Sequence, residues 1–164
     1  MRLIDYLDKG ASLGAAAPCL RMGAVLLSYG DVQRFSYRVA RALQRSGIAP
    51  GSKVAVLSGN DPVAFACVFG LSRAAAVWCP INPRNEAAEN RYVLDAFDCS
   101  CLIFHSNYAP LVEQMRAGKS PRVTRNRFRR ATAATGTRSR AGSNGIFANT
   151  CGLVVIVLPA VISS

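Results

Sequence analysis

From Asp31 to Ser46 the apolar residues fall at Val32, Phe35, Val39 and Leu43, while Arg34, Arg38, Arg41 and Arg45 take the intervening positions. That three-to-four spacing predicts one amphipathic helix. Asp31 is the expected cap, and Gly47 supplies a left-handed stop. Ala49-Pro50-Gly51-Ser52 then places Pro and Gly at the centre of a type II turn. The turn feeds Lys53-Val54-Ala55-Val56-Leu57, a short apolar run suited to a strand buried on both faces.

The same pattern recurs twice. Asp61 and Pro62 predict the start of a second helix, with Asp61 as cap and Pro62 at the first helical position. Val63–Ala75 is apolar on most sides, which predicts deep packing. A strand follows at Val77-Trp78-Cys79-Pro80, then a loop through Asn82-Pro83-Arg84. Asn85 is the expected cap of a third helix, with Glu86 and Glu89 near its positive end. A third strand, Cys101-Leu102-Ile103-Phe104, precedes a short helix over Tyr108–Arg116. The strands begin at residues 53, 77 and 101, each 24 beyond the last. One crossover helix fits between successive strands, giving two β-α-β units and a parallel sheet. The expected class is α/β: a partial parallel sheet with crossover helices.

After Met115 this patterning stops. Residues 1–115 hold 11 Lys/Arg against 9 Asp/Glu, whereas residues 116–164 hold 9 basic residues and no acidic one. The formal net charge of +11 therefore belongs mostly to the tail. The expected division is a folded region at 1–115, a basic disordered segment at 116–150 and an apolar segment at 151–164. The basic segment carries Arg122, Arg125, Arg127, Arg129, Arg130, Arg138 and Arg140 without amphipathic period, a composition that buries too little surface to offset ordering. Leu153-Val154-Val155-Ile156-Val157-Leu158 is β-prone and uncharged, an aggregation site unless a sheet covers it.

Six cysteines at irregular spacing, with no Cys-x-x-Cys pair, favour a reducing, cytoplasmic compartment. Asp5 and Asp8 interrupt the stretch that a signal peptide would need to be apolar. The longest apolar run, Gly152 to Ile162, is shorter than the roughly 20 residues of a membrane helix and contains Pro159, so no membrane span is expected.

Leu27 to about His105 resembles the opening of the adenylate-forming (AMP-binding) acyl-CoA synthetases, which include fatty-acid–CoA ligases. The matching residues are Ser28-Tyr29, Ala42-Leu43, Gly47-Ile48-Ala49-Pro50-Gly51, Lys53–Leu57, Asn60 and Tyr92-Val93-Leu94. The sharpest piece is Ala74 to Arg84, similar to the family's strand and Pro-x-Asn-Pro loop. Ala75 stands where the family usually has Gly, and Ser52 where it usually has Asp. A β-carbon at residue 75 would be destabilising if the backbone there needs positive φ.

The resemblance implies the N-terminal subdomain of the adenylate-forming fold. It also implies a reaction in which ATP and a carboxylic acid form an acyl-adenylate, followed by transfer to coenzyme A. Such chemistry needs backbone donors and a Lys around the triphosphate, Mg²⁺, and groups that stabilise charge at phosphorus. The family draws these from a Ser/Thr/Gly-rich loop ending in Pro-Lys-Gly, later acidic motifs and a catalytic Lys, none of which is present. No catalytic, cofactor-binding or metal-ligating residue is carried over.

Four groups carry candidate chemistry. Thr132–Thr137 resembles a phosphate loop in composition but lacks Pro-Lys-Gly. Ser58-Gly59-Asn60 offers an anion cradle, against the plainer reading of a strand-to-helix turn. Cys99, Cys101 and His105 are zinc-ligand types without an evident fourth ligand, so a structural role is preferred. Trp78 beside Pro80 suits an acyl pocket, with a core aromatic as the commoner role.

Three functional readings follow. The first is a truncated acyl-CoA ligase, inactive alone, whose tail comes from a shifted reading frame, since eight of its nine basic residues are Arg. The second is an interaction fragment that pairs with a separately encoded remainder of a synthetase. The third is nucleic-acid binding through the basic tail. Phe128 is its only nearby stacking residue and no Arg-Gly motif repeats, so no specific nucleic-acid partner is expected.

Overall fold

The computed structural model describes residues 2–117 and 153–157. The chain divides into two compact units, residues 1–52 with 60–78, and residues 53–59 with 79–164. The first holds helix α1 (Leu3–Gly14), a hairpin of β1 (Pro18–Met22) and β2 (Val25–Ser28), and helices α2 (Tyr29–Arg45) and α3 (Pro62–Arg73). The second is built on β3 (Lys53–Leu57), β4 (Val77–Ile81, whose first two residues count with the first unit), α4 (Ala87–Ala96), β5 (Cys101–His105), α5 (Ala109–Ala117) and β6 (Leu153–Val157).

In the first unit, Ile4, Leu7, Val32, Ala66 and Phe69 form the buried cluster, with Leu20 and Leu27 of the hairpin packed against it. Gly70 lets α2 and α3 approach closely, since a β-carbon there would lie 2.4 Å from Val39 Cβ. Arg73 ties the helices together. Its Nη2 donates to Asp8 Oδ1 at 2.6 Å and its Nε to Ser36 Oγ at 3.0 Å. Its guanidinium lies 3.6 Å from the centre of the Tyr37 ring. Partial burial pushes the Asp8 carboxyl up, but hydrogen bonds from Arg73 and Gln33 outweigh it and hold the carboxyl below its ordinary value.

In the second unit the strand order is β4-β3-β5-β6. The first three run parallel, as the 24-residue spacing predicts, and β3 is flanked by the two strands that follow it. Val54 to Leu57 and Cys101 to Phe104 are buried, in keeping with central parallel strands. Ala55, Leu57, Cys79, Ile81, Leu94, Leu102, Phe104, Val112 and Met115 make one core. Buried Arg91 donates to the carbonyl of Met115 at 2.7 Å, which fastens α5 to α4.

The basic segment expected to be disordered lies outside the described residues for 118–150. Of the apolar segment expected at 151–164, only residues 153–157 are described. Residues 153–157 pair antiparallel with β5, Leu153 opposite His105 and Val157 opposite Cys101. Part of the predicted aggregation site is thus a strand of the sheet.

Several helix ends differ from expectation. Ser28, not Asp31, caps α2: Ser28 Oγ accepts from Asp31 N at 3.1 Å, and Asp31 Oδ2 accepts from Ser28 N at 3.0 Å. This reciprocal box begins the helix three residues earlier than Asp31 as cap would. Glu86 rather than Asn85 occupies the cap of α4, with Glu89 returning a bond to its amide. Asp61 and Pro62 begin α3 as expected.

The stops share one geometry. The amides of Gly47 and Ile48 return to Gln44 and Leu43, those of Ala75 and Ala76 to Ser72 and Leu71, and those of Asp98 and Cys99 to Asp95 and Leu94. Each is a Schellman closure whose first residue beyond the cap is left-handed, with φ of +75°, +56° and +51° at Gly47, Ala75 and Asp98. The backbone at residue 75 does adopt positive φ, so its β-carbon sits in a conformation that favours glycine. The expected type II turn is also present, with Gly51 at φ +81° and Ser52 N donating to Ala49 O at 3.1 Å.

Candidate functional site

Open parallel sheets bind ligands beyond the carboxyl ends of their strands, where neighbouring connections diverge. Here β3 sends its connection to β4 while β5 lies on its other side. The residues following β3 and β5 therefore form the candidate site. Gly59 lies against Tyr108, whose hydroxyl oxygen would be 2.9 Å from a β-carbon at residue 59. His105 Nδ1 accepts from the amide of Asn107 at 3.2 Å, forming the single turn Ser106–Tyr108 that leads into α5. These contacts complete a tight strand-to-helix turn.

The anion cradle meets an electrostatic objection. Asp61 Oδ1 accepts from the amides of Val63 at 2.6 Å and Ala64 at 3.3 Å. A carboxylate already takes the donors that an anion would need at this helix start. The plainer reading of Ser58-Gly59-Asn60 as a turn is the one the geometry supports.

The zinc triad is not assembled. Cys101 and His105 stand at opposite ends of β5, about 13 Å apart at roughly 3.3 Å per residue. Among the described residues, no three His, Cys, Asp or Glu side chains are grouped to hold a metal. Cys99 and Cys101 are fully buried, and Cys79 is nearly so. Burial pushes the Cys99 thiol up to about 12, reinforced by the neighbouring Cys79 thiol, and burial pushes Cys101 up to about 12 as well. Thiols held this far from ionisation are poor nucleophiles and act here as core side chains.

Trp78 was expected in the core but is 43 % exposed, because the first two residues of β4 are the exposed end of that strand. The phosphate-loop resemblance at Thr132–Thr137 lies outside the described residues. The Asn82-Pro83-Arg84 loop, by contrast, is tightly held. Asn82 Oδ1 accepts from Arg84 N at 3.0 Å, and the Asn82 carbonyl accepts from Asn85 N at 3.2 Å and from Asn90 Nδ2 at 3.0 Å. Asn90 escaped the sequence reading, although a polar residue aligned with buried Leu94 on the helix was its signal.

The model of the family described as "AMP-binding enzyme" matches residues 8–144. The chain belongs to this family. The match begins upstream of Leu27, where the resemblance was first legible, and continues beyond α5. Feruloyl-CoA synthase from Amycolatopsis is 32 % identical over 113 residues, covering 69 % of this chain and 23 % of that protein. Long-chain-fatty-acid–CoA ligase FadD13 from Mycobacterium tuberculosis is 34 % identical over 98 residues, 59 % of this chain and 19 % of that enzyme. The N-terminal domain of FACL13 from the same organism superposes with a TM-score of 0.69 at 25 % identity, over 74 % of this chain and 31 % of that domain. The α/β architecture of this AMP-binding chain is thus that of acyl-CoA ligase N-terminal domains, and the chain spans about a quarter or less of the curated relatives' length.

Proposed function

We propose that these 164 residues are an N-terminal portion of an acyl-CoA ligase and that, by themselves, they neither adenylate a carboxylic acid nor form a thioester. The observation that carries this reading is that a 32 % identical acyl-CoA synthase is covered over only 23 % of its length. The complete reaction uses ATP, Mg²⁺ and coenzyme A. The described residues do not fit such a site: the helix start after β3 is neutralised by Asp61, the buried thiols are protonated, and no metal-binding group is assembled.

Acyl-dependent ATP–pyrophosphate exchange by the purified chain tests the proposal, and the expected rate is the background rate. Exchange that requires an added fatty or aromatic acid would overturn it. The reading-frame explanation of the tail has its own test, the nucleotide sequence from codon 100 onward translated in all three frames. Resumption of a Ser/Thr/Gly-rich loop and Pro-Lys-Gly in another frame supports a truncated ligase with an unselected tail.

A second reading is favoured by the first unit's surface. Met22, Val25 and Leu26 of the hairpin are 45–53 % exposed, an apolar tip of the kind that marks a contact. It suits a fragment that pairs with a separately encoded remainder of a synthetase. A stoichiometric co-purifying synthetase segment supports that reading, and a chain that purifies alone counts against it.

A further inference from the structure

Helix α2 carries its charge along one line. Arg34, Arg38, Arg41 and Arg45 follow one another at steps of four, three and four residues. At ~100° and ~1.5 Å per residue they fall within a sector of about 60° and span about 16 Å of the helix. The line lies opposite buried Val32, Val39 and Leu43, and all four side chains are exposed. Arg34 is paired with Asp31 at 2.6 Å, whereas Arg38, Arg41 and Arg45 hold no ion pair among the described residues. Like charges three and four residues apart repel along a helix, and Asp31 relieves this at the first turn alone.

The chain's own acids are engaged elsewhere. Asp5 pairs with Arg2, Asp8 with Arg73, Asp95 with Arg91 and Glu113 with Arg116. Asp61 caps α3, Glu86 and Glu89 close the start of α4, and Asp98 is also engaged. Residues 116–164 contain no acid. A fixed countercharge for the α2 line therefore comes from another molecule.

We propose that the Arg34–Arg45 face of α2 docks an acidic helix of a second polypeptide, with Asp or Glu at positions i, i+4, i+7 and i+11. Such a helix repeats its carboxylates at the steps of the arginines, so the two lines meet residue by residue. Guanidinium suits this role because its planar fork takes a carboxylate through two parallel hydrogen bonds. A second copy of this chain offers no acids at that spacing. Duplex nucleic acid fits less well. The phosphates of a groove flank an inserted helix, but the positions flanking the line are Tyr37, Gln44, Asp31 and buried Ala42. A single strand needs bases stacked on aromatic rings, and the Tyr37 ring already carries the Arg73 guanidinium at 3.6 Å. A bilayer needs apolar side chains beside the charges, and Tyr37 is the one large apolar side chain that α2 exposes among the described residues.

Fluorescence anisotropy of the full chain with two labelled, alanine-rich peptides tests the assignment. One carries Glu at i, i+4, i+7 and i+11, and its isomer has the same composition with Glu distributed around the helix. The periodic peptide should bind about tenfold more tightly at low salt, with the difference lost at high salt. The triple variant Arg38→Gln, Arg41→Gln, Arg45→Gln should bind both peptides equally, with its thermal melt unchanged or higher. Replacing the same three residues by Lys keeps the charge without the fork and should retain an intermediate preference. Equal affinity of the unaltered chain for the two peptides, or a preference that survives in the Gln variant, would overturn the proposal. Tighter binding of phosphatidylserine vesicles or of single-stranded oligothymidylate than of the periodic peptide, lost in the Gln variant, would overturn it in favour of a membrane or a nucleic acid.

Discussion

Gly51 donates its amide hydrogen to the carbonyl of Ala75 at 2.7 Å, and both residues hold positive φ, +81° and +56°. The turn that precedes β3 is thereby tied to the stop that follows α3. Gly51 adopts its conformation freely, but Ala75 carries a β-carbon into a region that costs an L-residue about 1–2 kcal/mol. Ala75→Gly should therefore raise stability by about 0.5–1 kcal/mol, after allowance for the greater freedom of glycine in the unfolded chain. Urea unfolding measures this. A lower midpoint for the variant would refute the strain argument.

Gly70 presents the opposite case. A methyl group there would sit 2.4 Å from Val39 Cβ and 2.5 Å from its Cγ1, and Val39 is fully buried. Alanine is the better helix former by about 1 kcal/mol, but overpacking costs about 1–3 kcal/mol. We expect Gly70→Ala to destabilise on balance. Adding Val39→Ala should recover part of the loss, so a double-mutant cycle with strictly additive effects would dismiss the steric explanation.

Arg73 is 14 % exposed in its side chain and joins Asp8, Ser36 and the Tyr37 ring. Arg73→Met keeps the aliphatic stem and removes these contacts, an expected loss of about 2 kcal/mol. The pair also sets an acid response. Asp8 titrates below its ordinary 3.8 in the folded protein, so its contribution is fully present above about pH 4 and is lost as pH falls further. Asp8→Asn should flatten stability against pH in that acid window and leave the slope above pH 5 unchanged. An equally steep acid slope in the variant would show that the Asp8 contact carries none of it.

The buried thiols make a prediction at the other end of the scale. Cys99 and Cys101 are raised from 9.0 to about 12, so the folded chain keeps protons that the unfolded chain releases. Stability should be unaffected by these groups below about pH 9 and decline between about pH 9 and 12. Under native conditions a thiol reagent should modify Cys19, which is only partly buried, well before Cys67, Cys79, Cys99 or Cys101. Rapid modification of Cys99 in the folded chain would contradict the packing described.

The strands at Lys53–Leu57, Val77–Ile81 and Cys101–His105 were legible because each is a short apolar run flanked by helix-stop and turn residues, and those signals are local in the chain. Asp61-Pro62 and the turn Ala49–Ser52 were legible for the same reason. Helix α1 and the β1–β2 hairpin were missed. Their inward residues, Ile4, Leu7, Leu20 and Leu27, gain a periodic meaning only once they share a core with Val32 and Phe69. The candidate sites divided likewise: the composition of Cys99, Cys101 and His105 suggested metal chemistry, while strand geometry alone set two of them about 13 Å apart.

The sequence by itself determined the kind and order of the central elements and the family resemblance, since side-chain period and turn chemistry act over a few residues. The tertiary structure decided which strand lies beside which, the exposure of Trp78, the left-handed strain at Ala75 and the seating of residues 153–157 on β5. The physical reason is the range of the interactions. Period and turn chemistry read neighbours along the chain, whereas pairing β5 with a strand some fifty residues distant is set by backbone hydrogen bonds that no local pattern records.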